Sequence, residues 1–484
     1  MNNSSDYNGY SEEYPQEYPQ EYSQEYPEYP TRGRLPQRNA YARSTYYEDL
    51  REQRRVRGEK QKAQKTAIVV CIMSLLFLNT LWLLVSTGII DSAIKPQEEG
   101  QDIFLSDNET GLTVGDTQPT DPPEVINTAY GRVVPAEGDY ATLIDQFILR
   151  ERTMMKKDEV VLTFTGDCTL GTWPSSSNKT NYNAIYNAAG SPTYSFDHVK
   201  SLFMNDDYTY INLETTLTEA KKASEQTYAF KGSPSWAQDM IANSGVDGCN
   251  IANNHHYDWL EQGYTDTINN VLNAGMDVGD EDHIIVKNIE GLEIVLISGN
   301  FIWPTGRGAI IDGEKLTERL CEQVKQHKRQ DNIVIVNAHW GLERQNFCNY
   351  EQYEPARDFI EAGADLVVGH HPHTLQGVEV YNGKYIFYSL GNFAFGGKAS
   401  TDKVNRVSMM LRPRFALRDG TAIMTGLCVV PCYTTSAENL EINNYKPYPL
   451  NGEEAKELAQ DLLDYSAGLK YGLKDPLDCP TSSL

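Results

Sequence analysis

Seven short apolar segments, spread over residues 160–393, each end in polar residues, and this repetition limits the folds that the chain can adopt. Their richness in Val, Ile, Leu and aromatic residues is typical of buried β-strands. Strands that alternate with helical segments predict a layered α/β domain, which we assign to residues 158–440. The apolar segments are VVLTFTGD, YTYINLE, GCNIANNHH, LEIVLISGN, NIVIVNAHWG, ADLVVGHHPH and YIFYSLGNF, and the helical ones span 236–243, 259–273, 314–328 and 355–362.

The polar residues at the ends of these segments are of the kinds that bind divalent cations. Because the carboxyl ends of sheet strands meet at one rim, we expect these side chains to converge. Carboxylates can bridge two ions while amides and imidazoles limit the negative charge, and no cysteine joins the set. This composition argues against a structural zinc site and for an open, reactive or substrate-binding one. The residues are Asp167, Asn212, Glu214, Asn253, Asn254, His255, Asp258, His339, His370, His371 and His373.

The individual signals differ in strength. A lone histidine after an apolar run, such as His339, is more often a buried structural residue than a ligand. The GHHPH segment at 369–373 is a stronger signal, because three imidazoles in four residues are costly to desolvate and contribute little to packing. The ordered conjunction of all the segments predicts a metal site better than any one of them.

Six motifs occur in a fixed order, namely TGD (165–167), NLE (212–214), ANNHHYD (252–258), HWGLE (339–343), GHHPHTLQGVE (369–379) and YSLGNFAF (388–395). Together they resemble the capsule-biosynthesis protein CapA family, which is named for poly-γ-glutamate synthesis and is a branch of the calcineurin-like metallophosphoesterase superfamily. The resemblance covers about half of the chain. It implies a calcineurin-like metallophosphatase fold, a β-sandwich flanked by helices, preceded in this chain by one transmembrane helix.

The resemblance also implies roles for single positions. Asp167 corresponds to the aspartate of the first motif, and Glu214 falls where an acid bridges the two metals. Asn254 corresponds to a metal-binding asparagine, and His255 to a histidine that faces the reacting group. Two divalent ions are implied, with Mn, Fe, Zn and Mg equally compatible. The implied metal ligands are Asp167, Glu214, Asn254, His339, His371 and His373, although which two of His370, His371 and His373 bind metal stays open.

Three departures from the superfamily pattern concern the second metal. The first motif lacks the usual histidine two residues after Asp167, and the bridging acid is Glu214 instead of an aspartate. An extra residue also separates His370 from His373. These departures bear on whether the second ion binds fully, and therefore on whether the site hydrolyses anything.

With both ions bound, a water activated by the metals would attack phosphorus or a carbonyl. His255, held by Asp258, would protonate the leaving group, so we assign catalysis to this pair. Substrate binding is assigned to four residues, of which the charged pair in HWGLER is equally compatible with plain rim charges. They are Asn212, His370, Glu343 and Arg344.

The segment from Ala67 to Ile90 contains no charged residue and predicts one transmembrane helix, since its length suffices to cross roughly 30 Å of hydrocarbon. Basic residues precede it and acidic residues follow it. The positive-inside rule then predicts a single-pass cell-membrane protein with a cytoplasmic N-terminus and an extracellular C-terminal domain. A buried core helix is the alternative. Residues 1–66 form a Tyr/Pro/Glu-rich tail that we expect to be disordered, and residues 91–157 a stalk with a possible helix at 141–156.

The last part of the chain predicts a hairpin and a closing helix. Two apolar runs flank Asp419 and Gly420, which is a strong signal for a tight hairpin turn. Residues 441–484 form a C-terminal extension whose amphipathic helix would be capped by Asn451. An odd number of cysteines lies beyond the apolar segment, so we expect one disulfide or none.

These features predict a membrane-anchored protein in the biosynthesis, export or release of poly-γ-glutamate or a related capsule polymer, able to hydrolyse a phosphoester or an amide. The expected partners are the membrane, other capsule synthesis subunits and an anionic polymer. Nucleic acid is excluded by a net charge of −25, which also opposes contact with a polyanion unless cations intervene. Two alternatives remain open: a non-catalytic accessory subunit that uses the site for binding, and a scaffold whose tail recruits synthesis enzymes.

Overall fold

The structure is a computed structural model, and its description covers only part of the chain. The predicted tail at 1–66, the predicted transmembrane helix at 67–90 and most of the predicted stalk lie outside that part. Within it, no helix combines the length and the apolar character needed to cross a membrane. The described residues are 126–128, 131–133, 140–173, 176, 181–302, 313–395, 406–437, 439 and 442–477.

Two mixed β-sheets dominate the described residues. The first has seven strands in the order β17-β16-β15-β3-β4-β7-β8, and the second has six in the order β13-β14-β12-β11-β10-β9. The strands are β1 (Ile126–Thr128), β2 (Gly131–Val133), β3 (Val160–Cys168), β4 (Tyr208–Leu213), β5 (Thr216–Leu217), β6 (Lys231–Gly232), β7 (Gly248–Asn250), β8 (Asp277–Gly279), β9 (Ile285–Ile289), β10 (Leu292–Asn300), β11 (Asn332–His339), β12 (Leu366–His370), β13 (Val378–Tyr381), β14 (Lys384–Phe387), β15 (Val407–Arg418), β16 (Thr421–Tyr433) and β17 (Tyr448–Pro449).

The two sheets pack face to face. Alternate residues of β11, such as Ile333 and Ile335, share one buried cluster with Leu162 and Phe164 of β3 on the other sheet. The residues between them on β11, including Val334, belong to a separate cluster under the helices that cover the outer face. Central strands such as β3, β4 and β11 therefore bury both faces, which explains why their apolar runs are continuous instead of alternating. The predicted α/β sandwich flanked by helices is confirmed in this architecture.

Seven α-helices surround the sheets within the described residues. The helix predicted at 355–362 begins earlier, because Asn349 and Gln352 form a capping box in which each side chain bonds the other's backbone N–H. The segment predicted as a helix at 236–243 instead forms a π-helical turn followed by a 3-10 turn. The helices are α1 (Ala141–Met154), α2 (Tyr182–Ala189), α3 (Lys200–Phe203), α4 (Leu260–Asn273), α5 (Gly313–His327), α6 (Tyr350–Ala362) and α7 (Gly452–Ser466).

The helices before and after the predicted domain pack against its core. In α1, Phe147 is 1% exposed, and Glu151 forms an ion pair with the buried Arg412 of β15. In α7, Leu458 and Leu462 join the cluster between the sheets. The predicted boundaries at 157/158 and 440/441 remain predictions, yet the elements on either side share one core with the domain.

The hairpin prediction is confirmed, and the residue predicted to cap α7 lies at the N-cap position. Asp419 and Gly420 both have positive φ, of 51° and 75°, and Arg418 pairs with Thr421, so they form the two-residue turn that the Asp-Gly pair predicts. Asn451 occupies the N-cap position of α7, but its side chain makes no capping hydrogen bond. None of the six cysteines in the described part of the chain is in a disulfide.

Candidate metal centre

The layer between the two sheets changes from apolar to polar towards one rim. On β4, Tyr208 and Tyr210 belong to the apolar cluster, and Asn212 and Glu214 continue the same face. On β11 the face passes from Ile335 to Asn337 and His339 in the same way, because alternate residues of a strand point to one side. The predicted convergence of the strand ends is therefore a consequence of parallel pairing: β11 and β12 run parallel, with His339 in register with His370.

Asp167 lies at the centre of this rim and is completely buried. Its backbone N–H donates to the carbonyl of Gly391 at 2.9 Å, and a Cβ at Gly166 would lie 2.2 Å from that oxygen. Only glycine therefore allows the two segments to approach so closely. One carboxylate oxygen of Asp167 accepts from Nδ2 of Asn212 at 2.8 Å and lies 3.1 Å from Nδ1 of His370.

The charge of Asp167 is stabilised by its surroundings. Burial alone would raise the pKa of this carboxyl, but His370 and His373 lower it well below its usual range. The backbone N–H of His371 also donates to its second oxygen at 3.2 Å. Asp167 is therefore an ionised acceptor whose oxygens already have partners in the protein.

Glu214 has the opposite character. It is 0% exposed, and among the residues that the structure describes none donates a hydrogen bond to either of its carboxylate oxygens. Its Oε1 lies 3.6 Å from Nε2 of His339 and 4.0 Å from Nε2 of both His255 and His373. Burial raises the pKa of this carboxyl well above its usual range, and neighbouring carboxylates, first that of Asp167, raise it further.

Two groups of possible cation ligands share Glu214. In each group the ligand atoms lie within 4.8 Å of one another. Asn254 extends the first group, since its Oδ1 lies 2.7 Å from Nε2 of His339. A carboxylate that belongs to two ligand groups can bridge two ions. The groups are Glu214, His339 and His371, and Asp167, Glu214 and His373.

The histidines of the first group are held in the neutral form that binds metal. Burial lowers the pKa of His339 well below its ordinary value, and it lowers the pKa of His371 to about 3. Nδ1 of each makes no hydrogen bond within the protein. The orphaned carboxylate of Glu214, beside these neutral imidazoles, fits a divalent cation.

His255 is oriented by Asp258 beside the two ligand groups. Its Nδ1 lies 2.8 Å from Oδ2 of Asp258, and that oxygen also accepts from the backbone N–H of Phe230 at 2.6 Å. The Phe230 ring packs edge-on against the imidazole, with 4.7 Å between ring centroids. Nε2 of His255 therefore faces Glu214, which is the orientation that a proton donor at this site requires.

The GHHPH loop adopts an uncommon backbone conformation. His371 has φ of 95° and His373 has φ of 57°, a region that non-glycine residues rarely occupy. Arg344, at φ of 59°, donates its backbone N–H to Pro372 of this loop at 2.7 Å. Such strain concentrates at functional sites, where the surrounding structure enforces it.

The four predicted substrate-binding residues lie in two different settings. Asn212 and His370 are buried and both contact Asp167, and the Asn212 amide also accepts from two neighbouring asparagines. Glu343 and Arg344 are exposed at the mouth of the site. Substrate contact stays a prediction for all four, and the present contacts of Asn212 and His370 orient Asp167.

Two asparagines support the site in ways that the motifs do not reveal. Asn253 donates to the Leu213 carbonyl at 3.0 Å and accepts from the backbone N–H of His255 at 3.1 Å, so it fixes the ANNHH loop to β4. Asn337 lies on the face that ends in His339. Its spacing of two residues before a ligand candidate on a strand is the signal that could have found it.

Comparison with known proteins gives relatives over the same region. Residues 161–397 match the family described as bacterial capsule synthesis protein PGA_cap. The capsule biosynthesis protein CapA of Bacillus anthracis is 28% identical over 66% of this chain and 77% of that protein. The PGA biosynthesis protein CapA of Bacillus subtilis (strain 168) is 32% identical over 41% of this chain and 56% of that protein. A probable polyglutamine synthesis accessory protein of Mycobacterium tuberculosis is 28% identical, over 38% of this chain and 55% of that protein.

Solved structures give a weaker likeness. The calcineurin-like phosphoesterase YfkN of Bacillus subtilis aligns over 57% of this chain and 90% of that one, with 12% identity and a TM-score of 0.33. The protein TT1561 of Thermus thermophilus aligns over 55% and 97%, with 10% identity and the same TM-score of 0.33. Scores this low carry no conclusion about this chain. The sequence match and the CapA relatives do: residues 161–397, just under half of the chain, are similar in sequence to the bacterial capsule synthesis protein family.

Proposed function

We propose that this protein is anchored in the cell membrane and acts outside the cell in the biosynthesis, export or release of poly-γ-glutamate or a related capsule polymer. We further propose that it has a calcineurin-like catalytic centre with two divalent cations, which hydrolyses a phosphoester or an amide. The names of the relatives support the polymer, and the charge-free segment at 67–90 supports the anchor.

The observation that carries the hydrolytic proposal is the state of Glu214. A buried carboxylate without hydrogen bonds is unfavourable by several kcal/mol or becomes protonated, unless a cation lies beside it. Glu214 has two orphaned oxygens and belongs to both ligand groups. A pair of cations bridged by this residue would compensate its burial fully.

The ligand groups would hold the cations, and His255 would act as the proton donor. Bound divalent cations at such a site supply a water that ionises near neutral pH and offset the negative charge that develops on the substrate. His255, kept in place by Asp258, would deliver a proton to the leaving group. The exposed Glu343 and Arg344 would contact the remainder of the substrate at the mouth. Cations would also reduce the repulsion between a chain of net charge −25 and an anionic polymer.

A non-catalytic accessory role is the second candidate, and one observation favours it. The position two residues after Asp167 is Thr169, which is buried and whose hydroxyl has no hydrogen-bond partner. The second ligand group therefore has three donors, of which Asp167 is already hydrogen-bonded. A centre with a weakly held second cation would bind polymer or a partner subunit without turnover.

Elemental analysis of the full chain, purified with detergent, separates these proposals. The hydrolase predicts about two equivalents of transition metal, as a dinuclear site requires, and turnover of phosphodiester or γ-glutamyl amide substrates that His339→Ala and His373→Ala abolish. His327→Ala, at the end of α5, is the matched control and should change nothing. Metal without turnover, combined with loss of surface polymer in the same variants, supports the accessory role. Absence of bound metal would contradict both proposals. If function is lost only when residues 1–66 are deleted, the chain acts as a scaffold.

A further inference from the structure

Asn337 is an unusual residue for its position. It is 0% exposed, it lies between the two sheets, and neither Oδ1 nor Nδ2 of its amide makes a hydrogen bond with the described part of the chain. Among buried asparagines on the same strand it contrasts with Asn332, whose amide has three partners. A buried amide without partners is unfavourable, so this residue requires an explanation beyond packing.

The register of the strands places Asn337 directly beneath His339. Asn337 pairs with Ser298 of β10, and His339 pairs with Asn300 one step nearer the rim. His339 directs Nε2 towards Asn254 and Glu214, so its other ring nitrogen, Nδ1, lies on the side of the strand backbone. That nitrogen also lacks a hydrogen bond within the protein.

Two orphaned groups thus lie on the same face of one strand, two residues apart. The Cα atoms of alternate strand residues are about 6.6 Å apart. Side chains at this spacing on one face are near enough for one water molecule to bridge them with two hydrogen bonds. Further polar partners for a water are present on the neighbouring strands, because Ser298 pairs with Asn337 and its hydroxyl lies 3.2 Å from that of Tyr210. A buried water needs two to four polar partners, and these groups supply them.

We propose that Asn337 is a positioning residue: through one buried water it accepts the hydrogen of Nδ1 of His339, which leaves the lone pair of Nε2 directed at the cation. A ligand histidine donates its second ring nitrogen to a fixed acceptor in most metal sites, and that contact sets both the tautomer and the ring orientation. The role rests on the proposed cation centre, since a histidine without a cation to bind has no need of a fixed tautomer.

The test compares Asn337→Leu with Asn332→Leu in the full chain, by calorimetric titration of the metal-free protein with Mn²⁺ and Zn²⁺. Asn337→Leu should weaken the tighter cation site by about 10- to 100-fold, the loss expected when such a contact is removed. Its metal-free form should lose less stability than Asn332→Leu, because no direct hydrogen bond of Asn337 is removed, whereas the Asn332 amide has three. Asn332→Leu should show the reverse: lower stability and unchanged affinity.

A second measurement does not depend on bound metal. Nitrogen NMR of ¹⁵N-histidine-labelled, metal-free chain should detect both tautomers of His339, because the Asn254 amide oxygen, 2.7 Å from Nε2, favours a proton there while the water held by Asn337 favours one on Nδ1; Asn337→Leu should shift the population towards the Nε2-protonated form. Asn337→Ser, which retains one polar atom and leaves room for water, should be intermediate and serves if the leucine variant does not fold.

Unchanged affinity and tautomer in Asn337→Leu would overturn the positioning role while leaving the proposed function intact. A fall in stability like that of Asn332→Leu, with no change in affinity, would make Asn337 a purely structural residue. If the wild-type chain binds neither Mn²⁺ nor Zn²⁺, the proposed function and this role fail together.

Discussion

Two buried glutamates show how differently one fold treats the same side chain. Glu379 and Glu214 are both 0% exposed. Glu379 accepts from both Nε and Nη2 of Arg357, from the Tyr388 hydroxyl at 2.8 Å and from the backbone N–H of Tyr471 at 3.3 Å. Glu214 accepts no hydrogen bond within the protein.

The comparison shows that a buried carboxylate without hydrogen bonds, as in Glu214, is a feature of this site and not of the sandwich in general. Where a buried carboxylate supports the fold, this chain surrounds it with donors, and the same holds for Glu151 beside Arg412. Where a buried carboxylate has no hydrogen-bond donors around it, its burial lowers the free energy of unfolding, and its oxygens remain available to a cation. We expect that substitutions at the two kinds of glutamate separate folding from cation binding.

The largest effect is expected for Glu214→Gln. Since Glu214 belongs to both ligand groups, the variant should lose all bound cation and any turnover. Its metal-free form should be at least as stable as wild type, because a neutral amide is less costly to bury than a carboxylate. Elemental analysis and urea unfolding of metal-free protein test this. Retention of one full equivalent of metal would contradict the bridging position of Glu214.

The second-largest effect is expected for the ion pair of Glu379. Arg357→Met leaves Glu379 buried without its ion partner, which should reduce the free energy of unfolding by about 3–5 kcal/mol. Cation content per folded molecule should not change, because this pair belongs to neither ligand group. Urea unfolding followed by fluorescence measures the first quantity. A loss below about 1 kcal/mol would remove the contrast between the two glutamates, since exposed pairs contribute that little.

The two ligand groups should respond to different histidines. His371→Ala should remove the cation of the first group, and His373→Ala that of the second, because each residue belongs to one group only. Each variant should keep about one equivalent of metal, the share of a single site in a dinuclear centre. Titration calorimetry should resolve the remaining site, which we expect to be the tighter one in His373→Ala. Loss of all bound metal in both variants would instead indicate a single shared ion.

A smaller effect, confined to turnover, is expected for Asp258→Asn. This residue holds His255 through Nδ1, and its loss would misorient the proton donor without removing a cation ligand. Turnover should fall by roughly 10²-fold or more, the contribution of a positioned acid, while metal content stays at the wild-type value. The fall should be smaller for substrates with good leaving groups, which need no proton. A uniform fall for all substrates would instead indicate a structural role.

Much of the fold and of the site could be predicted because both follow from periodicity. Apolar runs of strand length ending in polar residues predict buried strands, and parallel pairing brings those ends together, as His339 and His370 show. The hairpin at Asp419 and Gly420 follows from local backbone preference alone. Patterns of this kind survive folding because tertiary contacts reinforce them.

Other features were set by contacts that the sequence does not display. The pairing of β3 with β4 is irregular between Phe164 and Asp167, and Gly166 did not locate this irregularity because a glycine near a strand end is also typical of an ordinary turn. The positive φ angles of His371 and His373 decide which imidazoles reach the two ligand groups, and three histidines in four residues left that choice open. The helix predicted from Pro355 begins at Tyr350 in the structure, where Asn349 and Gln352 form a capping box. The sequence favours the later start because proline is typical of a first helical turn.

The smallest effect is expected at two asparagines in N-cap positions. They extend the contrast between side chains with and without a hydrogen bond to the ends of helices. Asn349 accepts from the backbone N–H of Gln352 at 3.2 Å, whereas Asn451 holds the N-cap position of α7 without a side-chain bond. Asn349→Ala should therefore reduce the free energy of unfolding by about 1 kcal/mol, and Asn451→Ala by less than about 0.5 kcal/mol. Parallel urea titrations of the two variants measure the difference. Equal losses of unfolding free energy would contradict this contrast. They would show that Asn451, at the N-cap position, stabilises α7 as much as Asn349 stabilises α6 through its hydrogen bond.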